Sequence, residues 1–329
     1  MAEYVVSKVS IIVAAYNSQD TIEECLKSIL ALNYPAGFFE VIVMDGGSKD
    51  GTVQIAQKFP IKVVSIRLNA PAAYNYAMKI ASFPILGFID ADAKVEQEWL
   101  NKLVPHLNEP YVAGVSGSIE TWNRDNPWAR SIGYELKNRY QRIGKYTGRV
   151  ATMNLLLKKE VIEEAGGWDE KLPSQYDTDL GFRISAKGYK IAYEPSAVCY
   201  HFNRPTLKAY YRQQLQYGKN TLKLYFKHGR LARGDEITDV GMNIQPALLL
   251  SSLVFLLLGI LPALRLLWVV SGVVLLAIAV YFIYSAVKLS LKFHDWSALR
   301  LFVVYWVRAA AWFDGAVITT ARYLAGKDK

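Results

Sequence analysis

Asp90-Ala91-Asp92, which closes the apolar run PILGFI, places two carboxylates two positions apart, and chemistry in this chain is best sought there first. In an extended segment positions i and i+2 project to the same side, so both carboxylates face one point. Two hard oxygen donors so arranged suit a Mg2+ or Mn2+ that substrate phosphates also hold, since such an ion takes only one or two carboxylates from the protein. An isolated Asp-x-Asp more often merely solvates a turn, and further acidic and turn features at other strand ends tip the balance here. The turn Asp45-Gly46-Gly47-Ser48-Lys49-Asp50-Gly51-Thr52 is one of them. Its glycines permit close backbone approach and positive φ, and Asp45 is placed to accept hydrogen bonds from a ribose or a base. Asp50 reads equally as a helix cap. Neither a Gly-Lys-Ser/Thr phosphate loop nor a Gly-x-Gly-x-x-Gly fingerprint occurs, which argues against a nucleotide triphosphatase and an NAD enzyme.

The elements that must position these residues follow from the hydrophobic pattern. VSIIVAA at 9–15 is a short β-rich run closed by Tyr16-Asn17-Ser18, and 20–32 then places Ile22, Leu26, Ile29 and Leu30 on one helical face. The alternation recurs with strands at 39–44, 61–66 and 84–89 and helices at 52–58, 72–81 and 96–107. Strands alternating with helices imply βαβ units and a parallel sheet, whose ligands bind at the C-terminal strand ends. Asn17, Asp45, Asp90 and Asp92 all fall there. The aromatic, basic stretch 120–150 reads as a loop or short helix bordering the site; a strand at 150–157, a helix at 159–165 and an acidic helix start at 176–187 follow.

With 52% hydrophobic and 20% charged residues the 329-residue chain is no disordered protein. The net charge of +9 suits nucleic acid, anionic lipid or a phosphorylated ligand alike. Cys25 and Cys199 stand far apart without a Cys/His cluster, so they read as small core hydrophobes. The start of the chain lacks the pattern of a signal peptide, and the front of the protein is expected to stay in the cytoplasm.

SIIVAAYN, VIVMDGGSKDGT, GFIDADAKVEQEWL, GGWDE and YDTDLGFRISAKGY occur in the order found in inverting family 2 glycosyltransferases of the GT-A fold, which residues 8–225 resemble. The resemblance is closest to membrane-attached bacterial and archaeal members that extend lipid-linked glycans. It implies a mixed, mostly parallel α/β sheet with flanking helices, followed by C-terminal transmembrane helices. It also implies that Ala14, Ala15, Tyr16, Asn17 and Asp45 hold the base and ribose of a UDP- or GDP-sugar, with Asp90 and Ala91 assisting. Asp92 holds a Mg2+ or Mn2+ on the diphosphate, joined by His201, and Asp177 is the general base. Arg212 falls where the family often places a Gln/Arg-rich motif touching the diphosphate. The sequence departs from the family pattern at Ala14 (often proline), Gly46 (often aspartate) and Tyr176, which replaces the acidic neighbour of the base.

Residues 240–264 and 266–287 are uncharged and each long enough to span a bilayer, while 299–324 is apolar but contains Arg308, Asp314 and Arg322, so it either spans or lies in the interface. Basic residues Lys219, Lys223, Lys227, Arg230 and Arg233 on one side and Lys288, Lys292 and Arg300 on the other place both ends, and the catalytic domain, in the cytoplasm. The expected organisation is a catalytic domain at 1–203, a basic amphipathic segment at 204–239 that lies on anionic headgroups, and a membrane domain at 240–329 with helices about 244–264, 266–287 and 299–324. The expected activity is metal-dependent transfer of a sugar from a nucleotide donor to a lipid-linked polyprenyl or dolichyl glycan at the cytoplasmic face. Transfer to polyprenyl phosphate, giving a lipid monophosphosugar, is the nearer alternative. A non-catalytic scaffold is the alternative of another class, and nucleic acid is not expected as a partner.

Overall fold

The computed structural model describes residues 6–229 and 233–326, so Arg230 lies outside the described residues. The chain separates into two compact units, Met1–Trp122 with Tyr140–Phe202, and Asn123–Arg139 with Asn203–Lys329.

The first unit is an α/β domain on a mixed sheet of nine strands among the described residues. Its leading half is the expected alternation: β1 (Val9–Ala15), α1 (Ile22–Leu30), β2 (Phe39–Asp45), α2 (Thr52–Ala56), β3 (Lys62–Ser65), α3 (Ala70–Ile80) and β4 (Ile85–Asp90). β1 pairs in parallel with both β2 and β4, and β2 with β3. Both faces of β1 and β4 are buried, which is why their sequences are continuous apolar runs and not alternating ones. α1 covers one face with Ile22, Cys25, Leu26 and Ile29.

The second half brings antiparallel pairs. It contains β5 (Ala93–Val95), α4 (Trp99–Leu103), β6 (Val112–Thr121), α5 (Pro127–Tyr140), β7 (Tyr146–Thr147), β8 (Leu155–Lys158), α6 (Lys159–Glu164), α7 (Tyr176–Ala186) and β9 (Lys190–His201). β8 runs antiparallel to β4 and β6, and β9 pairs in parallel with β6 and antiparallel with β5. Two expectations are corrected here. The helix expected at 96–107 is α4 followed by a 3-10 turn, Val104–Asn108, because Pro105 has no N–H to continue the ladder. The strand expected at 150–157 is confined to β8, because Asn154 turns its amide inward. Its Nδ2 donates to Ser118 O (2.8 Å) and Ala197 O (2.9 Å), and its Oδ1 accepts from Trp99 Nε1 (2.8 Å).

The second unit takes in α5 up to Arg139, and continues with α8 (Leu207–Lys227), α9 (Val240–Leu258), α10 (Leu266–Phe293) and α11 (Leu301–Leu324). Among the described residues three segments are long and apolar enough to cross a membrane: Val240–Leu258, Leu266–Phe293 and Trp296–Leu324. α9 and α10 form a hairpin stitched by Ser252 and Ser271, whose hydroxyl oxygens are 2.6 Å apart. An apolar cluster joins Ile132 of α5, Tyr210 of α8, Phe282 of α10 and Val304 of α11. α8 and α11 touch backbone to backbone: a Cβ on Gly315 would stand 2.6 Å from Lys219 N, and one on Gly218 2.7 Å from Trp312 Cα.

A buried ion pair lies inside this unit. Arg308 of α11 is 3% exposed and its Nη1 donates to Glu135 Oε1 of α5 at 2.5 Å, while Arg139 Nη1 lies 3.5 Å from Glu135 Oε2. Burial alone would raise the Glu135 carboxyl, but Arg308 and Arg139 more than offset it and hold it below the usual glutamate value. Removing one partner strands the other charge in an apolar interior, at a cost of about 3–5 kcal/mol. Glu135→Ala is therefore expected to lower the thermal unfolding temperature in detergent sharply, and Glu135→Leu with Arg308→Met to recover much of the loss. An unchanged unfolding temperature in the single variant would show that the pair does not hold α5 to α11.

Candidate active site

The parallel register of the first unit assembles the site. Ala14 stands opposite Asp90 and Ala15 opposite Asp45, so the ends of β1, β2 and β4 share one level. Beyond them lies a cavity of about 240 Å3 lined by Ala14, Ala15, Tyr16, Gly46, Tyr74, Asp90, Ala91, Asp92 and Tyr176, among others. Six of the residues singled out in the sequence meet there: Ala14, Ala15, Tyr16, Asp90, Ala91 and Asp92. Asp45 does not line the cavity. It is 1% exposed, and its carboxylate accepts from Gly47 N (3.1 Å), Ser48 N (3.2 Å) and Ser65 Oγ (2.6 Å). Gly47, at φ +89°, makes that turn possible. Asn17 stands at φ 48°, accepts from Lys49 N at 2.9 Å and donates its own N–H to Ser48 Oγ at 2.8 Å, fastening the first loop to the second.

Asp90 and Asp92 differ in their surroundings. Asp90 Oδ1 accepts from Thr152 Oγ1 at 3.0 Å, with Tyr74 Oη at 3.5 Å. Burial, followed by the charge of Asp92, pushes its carboxyl up to about 6. Burial likewise pushes the Tyr74 phenol well above its usual value, so it stays a neutral donor. Asp92 points instead toward His201, whose Nε2 is 3.4 Å from Asp92 Oδ1. The antiparallel pairing of β5 with β9 sets this contact, with Ala93 opposite His201 and Phe202 N donating to Asp92 O at 2.8 Å. Among the described residues no group of three or more His, Cys, Asp or Glu side chains is placed to hold a metal ion. The donors at hand are the Asp92 carboxylate with the His201 imidazole beside it, and Asp90 two positions earlier.

Asp177 sits in the first turn of α7, one residue beyond the cavity-lining Tyr176 and two beyond Gln175, which holds a left-handed φ of 61°. Asp177 Oδ1 accepts from Thr178 N at 2.7 Å, and burial raises its carboxyl above the usual aspartate value against the pull of Arg149. Tyr176 packs against Tyr74 and Trp168 with ring centroids 5.9 and 5.8 Å away. Trp168 itself is 2% exposed, so it is a core residue behind the cavity. Asp179 is fully buried and paired with Arg183 Nε at 2.8 Å, a structural ion pair and not a second base. Cys25 and Cys199 are buried free thiols pushed up by burial, as their sequence setting implied. Arg212 lies on the exposed face of α8, in the second unit. Thr152 and Tyr74 were not anticipated. Thr152 lies within the stretch 150–157 that reads as strand, and Tyr74 occupies an ordinary apolar helix position.

Residues 10–164 match the family described as Glycosyl transferase family 2. Glycosyltransferase AglE from Haloferax volcanii is 27% identical over 226 residues, which cover 66% of this chain and 74% of that protein. Poly-beta-1,6-N-acetyl-D-glucosamine synthase from Staphylococcus aureus is 25% identical over 224 residues, and the match spans only 54% of its length. Among solved structures, the mannosyltransferase PcManGT from Pyrobaculum calidifontis, in complex with GDP-Man and Mn2+, aligns with a TM-score of 0.60 at 22% identity, covering 95% of this chain and 87% of that one. That likeness establishes the GT-A fold. The segment 10–164 is a glycosyl transferase family 2 domain, and the chain that carries it is a glycosyltransferase.

Asp179→Asn leaves the half-buried Arg183 beside a neutral amide and is expected to cost about 1–3 kcal/mol of stability. Thermal unfolding of the purified variant checks this, and an unfolding temperature equal to that of the wild type would contradict the structural role.

Proposed function

We propose that the protein is a metal-dependent inverting transferase that moves a sugar from a UDP- or GDP-linked donor to a lipid-linked glycan at the cytoplasmic membrane face. The observation that carries this reading is the pair Asp90 and Asp92 in the wall of a cavity at the strand ends of a family 2 domain, with His201 beside Asp92. Two carboxylates close enough to raise the Asp90 carboxyl form a donor set that a divalent cation fits. Asp92 would hold the ion, with His201 beside it. Bound there, a Mg2+ or Mn2+ offsets the charge that develops on the departing diphosphate. Asp90, fixed by Thr152 and Tyr74, faces the ribose, while Ala14, Ala15 and Tyr16 form the wall for the base. Asn17 and Asp45 act one layer out, by holding the loops that shape this wall. Asp177 takes the proton of the acceptor hydroxyl as it attacks from the face opposite the diphosphate, so a single displacement inverts the anomeric carbon. Arg212 is proposed as a further contact to the diphosphate.

The membrane arrangement we favour is a spanning hairpin, α9 and α10, with α5, α8 and α11 at the interface. Leu253, Leu256, Leu257, Leu258, Val269 and Val273, in the distal half of the hairpin, are exposed, while α11 packs nearer the hairpin's open end, with Tyr305 and Trp306 against Phe282 of α10. α11 keeps company with α8, which carries Lys208, Arg212, Lys219, Lys223 and Lys227 along the shared length. Such charges belong at the headgroups, where they meet anionic lipid. An enzyme held there shares the plane of a lipid-borne acceptor, which raises its effective concentration.

The test is transfer of labelled sugar into lipid extract from detergent-purified enzyme supplied with Mn2+ and a panel of donors. Asp92→Asn is expected to abolish metal-dependent donor binding. Asp177→Asn is expected to keep donor binding and lose transfer by a factor of about 100 or more. Normal transfer in the second variant would remove Asp177 from the mechanism. Because Asp177 must be ionised to accept the proton, kcat/KM should fall on acidification along a limb set above the ordinary aspartate value of about 3.9. A flat profile through that region would contradict it.

A further inference from the structure

Asn75 stands in the interior of α3, where an asparagine is a weak helix former because its amide competes with the backbone for partners. Here the amide is used outside the helix. Its Oδ1 accepts from Trp168 N at 2.9 Å, and its Nδ2 donates to Trp168 O at 2.9 Å and to Glu170 Oε1 at 2.8 Å. One side chain thus satisfies both backbone groups of a residue 93 positions away, as a neighbouring strand would. Asn69, the N-cap of α3, grips the same loop by donating from Nδ2 to Glu170 O at 2.8 Å. Gly167, at φ +73°, makes room for the pair, since a Cβ there would stand 2.9 Å from Asn75 Oδ1.

What this clamp holds lies beside the reacting groups. The loop 166–175 leads into α7, where Tyr176 lines the cavity and Asp177 follows it. By fixing the backbone of Trp168, Asn75 sets the indole against Tyr176, with ring centroids 5.8 Å apart, and against Tyr74 and Phe88 at 5.0 and 5.1 Å. Trp168 and Tyr74 are buried, so the stack has little freedom to shift once the backbone is held. Tyr74 immediately precedes Asn75, and successive side chains on a helix are turned by about 100°. Tyr74 reaches Asp90, its Oη 3.5 Å from Oδ1, while Asn75 reaches the loop. α3 therefore touches the donor side of the site with one residue and the approach to α7 with the next.

We propose that Asn75 is a positioning residue for transfer: its amide holds the loop 166–175 so that Tyr176 and Asp177, at the start of α7, stand at a set place against the donor cavity. The inference rests on the reading of Asp177 as the base and names what fixes that base in place. A reacting group misplaced by about 1 Å loses on the order of a hundredfold in rate. Donor binding is made at the ends of β1 and β4, so it survives the loss of the clamp.

The experiment compares full-length wild-type enzyme with Asn75→Ala, measuring Mn2+-dependent donor binding and single-turnover transfer on the same preparation. Transfer slowed about tenfold or more, with the donor Kd within about twofold of wild type, is the expected result. Combined with Asp177→Asn, Asn75→Ala should add almost nothing, because it acts through a group already removed. Unchanged transfer, or a loss of donor affinity as large as the loss of rate, would overturn the proposal. So would a double variant that loses the product of two substantial single losses. Where Asn75→Ala fails to fold, as judged by its unfolding temperature, Asn75→Asp serves. It keeps the acceptor for Trp168 N but sets a second carboxylate against Glu170, and adding Glu170→Gln is expected to recover part of the lost rate. Absence of that recovery would also overturn the proposal. Normal transfer by Asp177→Asn, with Asn75→Ala still slow and donor binding intact, would remove Asp177 as the base and keep the clamp, with Tyr176 as the group it places.

Discussion

Two like charges at the end of one strand constrain everything around them. Asp90 and Asp92, two positions apart at the end of β4, both line the cavity, and the charge of Asp92 adds to burial in raising the Asp90 carboxyl. The fold holds Asp90 with two neutral hydroxyls, from Thr152 and Tyr74, and sets His201 beside Asp92. Each of these comes from a different element, so strand order, the loop before β8 and the pairing of β5 with β9 must all be correct before the pair is placed. The cation proposed at Asp92 would offset this repulsion, because it is shared between protein and diphosphate oxygens.

The second unit shows the same economy of charge under a different rule. Glu135 and Arg308 are both buried and pair with each other, so no charge is left over in the apolar interior. The partners lie in α5, which is spliced into the catalytic sequence between β6 and β7, and in α11, near the end of the chain. A segment that interrupts the catalytic domain in sequence is therefore built into the membrane-facing unit in structure. α8 meets the same unit through Gly218 and Gly315, where only the absence of a side chain allows the backbones to touch.

What the sequence reveals follows from the range of the interactions. The β1 to β4 half was legible because continuous apolar runs, closed by turn residues, are local signals. The Asp-x-Asp pair and the Asp45 turn were visible for the same reason, whereas Asp177 was singled out through the family resemblance alone. β9 was not, since Glu194 and Pro195 interrupt its apolar pattern, and its identity as a strand comes from pairing with β6. The role of Thr152 depends on a loop created by the inward amide of Asn154, which no local pattern announces. Asp45 was read correctly as a strand-end residue, while its hydrogen bonds to Gly47, Ser48 and Ser65, which hold the turn after β2, were not legible. The length of 299–324 suits a span, and only its packing on the basic α8 argues for the interface.

The central claim is the proposal that Asp92, with His201 beside it, holds a cation completed by the donor's diphosphate. Electron paramagnetic resonance of Mn2+ with the purified enzyme, titrated with and without a nucleoside diphosphate, tests it most directly. The account predicts weak Mn2+ binding to the enzyme alone and much tighter binding in the ternary complex, with nucleotide and metal each raising the affinity of the other by the same factor. Nucleotide binding that is indifferent to Mn2+, or Mn2+ binding that is indifferent to nucleotide, would contradict it.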